Sequence, residues 1–119
     1  MVKPWCKIKI CGYRDCTVQA ATTLPEGNAG EYSYRRGLIR VMFAERTYML
    51  DTLLHEVTHA VWEASGLKDG LRRKWGHLLT TDQLRDLEED VLVAQTPGLL
   101  TTLTQAGWLK LPEPPKKER

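Results

Sequence analysis

A chain of 119 residues is long enough for one small domain with one core, and 42% hydrophobic with 27% charged residues is ordinary for a folded globular protein. A net charge of +2 is too small to argue for nucleic acid by itself, and no apolar run approaches the length of a membrane-spanning helix. The N-terminus lacks the apolar core and cleavage pattern of a signal peptide, which predicts a cytosolic protein.

The first forty-odd residues read as sheet. Lys7-Ile8-Lys9-Ile10 alternates apolar and polar, with Gly12 as a turn or bulge, and 16–20 is a second strand or a short helix. A loop rich in turn residues follows at 24–30, then 31–34 and 38–43, broken at Gly37, as a hairpin-like pair. Cys6, Cys11 and Cys16 are odd in number and lack a Cys-x-x-Cys pair. They read as reduced core or edge thiols rather than a disulfide framework or a three-thiolate metal site.

An apolar stripe through Leu50, Leu53, Leu54, Val57, Ala60, Val61 and Ala64 predicts a helix over 48–65, with Thr47 as its cap and Gly66 as its stop. Gly66, Gly70 and Gly76 mark 66–80 as a loop. A second helix is predicted from Thr81 to about Thr96, opened by a capping box of Thr80 and Gln83. Its stripe is Leu84, Leu87, Val91 and Leu92, extending to Leu99. Pro97-Gly98 interrupts it, leaving a short helix over 99–105. The proline- and charge-rich stretch 111–119 reads as a disordered tail to a single domain over 1–110. The expected class is α+β, with about three strands of a small twisted sheet packed on two helices.

Inside the first helix stands His55-Glu56-Val57-Thr58-His59. Positions four apart share a helix face, so the two histidines point the same way, spaced to hold one metal ion. Glu56 is close enough to reach a metal-bound water. This is a zinc-hydrolase arrangement with the carboxylate as general base. A buried helix with two hydrogen-bonded core histidines fits less well, because two of only three histidines fall in this motif beside a glutamate.

Two histidines do not complete a catalytic zinc site, where three protein ligands and a water are usual. Trp62 and Ser65 stand where the metzincin extension needs glycine and histidine, which excludes that subclass. Glu88 is the first choice for the third ligand: it lies on the core-facing stripe of the second helix, where a carboxylate is costly unless paired or metal-bound. Its neighbour Glu89 comes next, and His77 third. Asp51 and Glu63 share the metal face but read as surface acids, Asp51 with a further option as partner to a histidine ring nitrogen.

Strand 38–43, the motif helix 53–61 and Leu87-Glu88-Glu89-Asp90-Val91 together resemble a minimal zincin, similar to gluzincin-like, SprT-like and phage or mobile-element metallopeptidase-like domains. The resemblance covers roughly half the chain, and its sharp part is the five-residue motif. It implies a Zn2+ ion held by His55, His59 and Glu88 or Glu89, with Glu56 activating water against a peptide carbonyl. Histidine as the third ligand in SprT-like proteins keeps His77 in play. It further implies a protein or peptide substrate paired with a strand near the motif helix, carried onto 38–43, and the host cytoplasm if the protein is phage-encoded. Tyr32, Tyr34, Tyr48 and His77 are candidate oxyanion donors by residue type alone, and the sequence does not choose between them. The rival readings are a non-catalytic, zinc-stabilised accessory protein and a nucleic-acid-associated protein using Arg35, Arg36, Arg72, Arg73 and Lys74.

Overall fold

Alternation decides which face of the N-terminal half is buried. In the computed structural model, which describes residues 1–117, four strands form one sheet: β1 (Val2–Ile10), β2 (Arg14–Ala21), β3 (Gly30–Ser33) and β4 (Leu38–Met42). Cys16, Val18 and Ala20 of β2 and Ile39 and Val41 of β4 point inward at every second position. The opposite face carries polar side chains such as Glu31 and Arg40, which pair with each other. The sheet thus has one solvated face.

The spatial order is β1-β2-β4-β3. β1 and β2 are antiparallel, joined by a tight turn in which Cys11 and Gly12 both have positive φ. β2 and β4 are parallel, and β3 folds back antiparallel on the outer side of β4. Bonded on both sides, Leu38–Met42 has no free edge, so the expectation that 38–43 pairs with a substrate is corrected. Among the described residues, the free edge on that side of the sheet belongs to β3.

The helix α1 (Arg46–Ala64) covers the inner face, and α2 (Leu67–Trp75) and α3 (Thr81–Gln105) pack on α1. The fold is α+β, as expected, with one strand more than the expected three. Met49, Leu53 and Ala60 of α1 join the sheet's inward residues in the core. The cap of α1 is Glu45 rather than Thr47: its carboxylate accepts from the amides of Thr47 and Tyr48. A carboxylate there also meets the positive end of the helix dipole. Gly66, with φ of 81°, ends α1 as expected.

Two helical expectations are corrected. Residues 66–80 are not all loop, because Leu67–Trp75 forms α2. This helix buries no residue and is tied down by Lys68, which pairs with Glu63 of α1 and Glu88 of α3. The capping box of Thr80 and Gln83 opens α3 as expected, but Pro97-Gly98 does not break it. Glu88, Leu92, Thr96 and Leu100 recur every fourth residue and are all buried, a stripe that runs straight past Pro97. Helix packing outweighs an unfavourable proline and glycine of about 3 and 1 kcal/mol. Pro97 itself lies on the exposed side, as does Val93, four residues back, whose carbonyl loses its usual amide partner. Leu87 and Leu99, expected on the stripe, are exposed.

Beyond α3 the chain returns across the start of α1 toward β1. Trp5 Nε1 donates to the Pro112 carbonyl at 3.2 Å, Lys3 Nζ to the Lys116 carbonyl at 2.6 Å, and Arg46 grips the Glu113 carboxylate. Glu118 and Arg119 of the expected tail lie outside the described residues. Cys6, Cys11 and Cys16 are free thiols; burial pushes the thiols of Cys6 and Cys16 up. Among the described residues no helix is long and apolar enough to cross a membrane.

Candidate metal centre

The core contacts of α1 fix its rotation. With Met49, Leu53 and Ala60 against the sheet, His55 and His59 are carried to the flank where α3 runs. Their rings meet edge to face with centroids 4.8 Å apart, and their Nε2 atoms are 3.2 Å apart. Glu89 of α3 closes the group. One carboxylate oxygen is 3.1 Å from His55 Nε2 and the other 3.0 Å from His59 Nε2. One ligand atom from each of the three residues lies within 4.8 Å of the others. A tetrahedral zinc with ligands at about 2.1 Å needs ligand atoms roughly 3.4 Å apart, so donor type and spacing fit an ion of that size.

Glu88, ranked first from sequence, is not in that group. It is buried, 5% exposed, and its Oε2 lies 2.5 Å from His59 Nδ1, on the far side of the ring from Glu89. Its Oε1 lies 3.5 Å from Lys68 Nζ. His77 is exposed in the turn after α2, and it too stands apart from the cluster.

Glu56 is buried at 7% exposure beside His59. Burial is the main cause that raises its carboxyl from the ordinary 4.5 to about 7; Glu89, Glu31 and Glu88 push the same way and His59 opposes them. β3 contributes to that burial through Gly30. A Cβ there would stand 2.6 Å from Thr52 Cγ2 and 3.0 Å from Glu56 Cγ. Only glycine lets the strand backbone lie so close to the motif helix.

An open pocket of about 480 Å3 leads to the cluster, walled by Asn28, Gly30, Tyr48, Asp51 and Thr52 and floored by Glu56 and the two histidines. Asp51 Oδ1 is buried and has no hydrogen-bond partner among the described residues. A second hollow of about 310 Å3 shares Glu56, His59 and Glu89 with that pocket and is lined also by Tyr32, Glu63, Lys68 and Arg85. Of the four oxyanion candidates, Tyr48 lines the first hollow and Tyr32 the second. Tyr34 lies under the Arg14 guanidinium, 4.5 Å from its ring centroid, and lines neither hollow. Arg35 and Arg36 are exposed in the β3–β4 turn, and Arg72, Arg73 and Lys74 on α2.

Sequence reasoning missed Lys68 and Gly30. No local signal marks Lys68, since its partners come from two other helices. Gly30 stands in a stretch of turn residues that hides its packing role. The chain matches no family model, and no curated protein or solved structure shows significant similarity to it.

Proposed function

We propose that this protein is a zinc-dependent, peptidase-like hydrolase of minimal zincin type, with His55, His59 and Glu89 as metal ligands and Glu56 as general base. The observation that carries this reading is the convergence of two imidazole Nε2 atoms and one carboxylate beside a buried glutamate at the end of an open pocket. Bound zinc would supply a Lewis acid that polarises a carbonyl and lowers the pKa of water. The remaining work falls to the chain. Glu56, buried beside His59, is placed to take a proton from water and return it to the leaving amine. The unpaired edge of β3, with Gly30 in the pocket wall, offers backbone groups to an extended peptide.

Zinc content of the purified protein and its variants tests the reading. Wild-type protein is expected to hold one zinc. His55→Ala, which removes one of three protein ligands, is expected to lose it. Glu56→Gln keeps its zinc but loses roughly 10²–10⁴-fold in hydrolysis of a denatured protein substrate. A full zinc complement in His55→Ala sinks the metal site, and undiminished hydrolysis by Glu56→Gln sinks the base.

A further inference from the structure

Glu88 and Glu89 are adjacent, identical in type, and turned to different tasks. Consecutive residues on a helix are about 100° apart, so both cannot face one point in space. Glu89 lies at the solvent margin, its side chain 51% exposed, and meets the Nε2 atoms of both histidines. Glu88 faces the helix interface and meets only the rear of His59, through Nδ1. Lys68 of α2 stands at the other Glu88 oxygen and is itself held by Glu63 at 3.1 Å. Glu88 is thus fixed at both ends.

We infer that Glu88 is a positioning residue for the proposed centre, acting through His59. By accepting a hydrogen bond from Nδ1–H, it holds the imidazole in the tautomer whose Nε2 lone pair is free for an ion and aims that nitrogen at the space shared with Glu89 and His55. A neutral imidazole has one N–H and one bare nitrogen, and the hydrogen bond at one nitrogen decides the state of the other. Such support behind a metal-bound histidine is worth about 10–100-fold in metal affinity. A buried carboxylate needs partners in any case. What distinguishes this one is that its short contact is to the ring nitrogen that faces away from the ligand cluster. The inference rests on the zinc reading for its effect on affinity, but its effect on the imidazole stands apart from it.

The test therefore has two readouts, on Glu88→Gln and Glu88→Leu. The first is the tautomer of His59 in metal-free protein carrying Glu89→Leu, which removes the second carboxylate that meets the ring at Nε2, from long-range 15N–1H correlation spectra. With Glu88 intact in that background, His59 is expected as the Nδ1–H form. Glu88→Gln, whose amide oxygen can still accept, keeps that form, and Glu88→Leu becomes a mixture. The second is zinc affinity by competition with a chromophoric chelator. It is expected to fall about 10–100-fold in Glu88→Leu and less in Glu88→Gln, whereas Glu89→Gln falls further than either. Circular dichroism selects variants that retain the fold; if Glu88→Leu does not fold, Glu88→Met takes its place with the same expectations.

An unchanged tautomer in the folded Leu or Met variant overturns the inference, as does zinc affinity within threefold of wild type. Loss of zinc from Glu88→Gln with retention in Glu89→Gln overturns it by exchanging the two roles. Wild-type protein that binds no zinc, with the expected tautomer change still seen in the Glu89→Leu background, sinks the zinc reading and leaves the positioning role in place.

Discussion

The two helices that build the centre hold their side chains in different ways. α1 lies against the sheet, and the residues that fix its rotation, Met49, Leu53 and Ala60, are interleaved with His55 and His59 in the same turns. α3 has no comparable hold on the sheet. Its rotation is set by a single stripe, Glu88, Leu92, Thr96 and Leu100, and most of that stripe lies beyond the acid it delivers. A site residue on α1 is placed by its immediate neighbours; Glu89 is placed by packing up to three turns away. Perturbations of equal size should therefore act differently on the two halves.

The sharpest way to break this comparison is Leu92→Ala. Leu92 is 1% exposed, and truncation should cost about 2–5 kcal/mol in denaturant unfolding. Because Leu92 sets the rotation of α3, zinc affinity should fall as well, while Leu99→Ala, at an exposed position, should leave both almost unchanged. Equal effects of the two leucines would show that the stripe does not orient Glu89.

A second difference appears in pH. The buried acid Glu56 belongs to α1. Its carboxyl is raised from 4.5 to about 7 in the folded state, so the fold retains a proton that the unfolded chain has released. The stabilisation is complete below about pH 4.5 and is lost as pH rises through 7. Metal-free protein should lose about 3 kcal/mol of stability from this group between pH 4.5 and pH 8, measured by urea unfolding in chelator. Glu56→Gln should flatten that slope. A Glu56→Gln protein with the wild-type pH dependence would place the source of the slope elsewhere.

The smallest expected effect is at the start of α3. Thr80→Ala removes the side chain that accepts from the Gln83 amide at 3.1 Å and should cost about 1 kcal/mol. Zinc affinity should hold, since the cap frays a terminus without turning the helix. A loss of zinc comparable to that in Leu92→Ala would show that the whole of α3, not its buried stripe, governs the centre.

The same contrast explains what could be read from the chain. β1 was legible because alternation at 7–10 survives when one face is solvated, whereas 16–20 stayed open between strand and short helix; the histidine spacing was legible because the helix period is local. Even the burial of Glu88 could be anticipated from its place among leucines. Which of two adjacent acids meets the histidines could not, because the true stripe steps by four from Glu88 to Leu100 through Thr96 and past Pro97. Threonine and proline there look like an ending. α2 was hidden for a related reason: Gly66, Gly70 and Gly76 weaken every local helical signal, and its tether is the long-range pairing of Lys68.

At residue 30, where the strand backbone lies against Thr52 and Glu56 of the motif helix, there is no side chain at all. The depth of the cleft is governed by that vacancy. One added carbon would act as a wedge, prying the sheet margin from the helix and baring more of Glu56. The spacing that keeps the acid largely covered leaves room there for a hydrogen atom and no more.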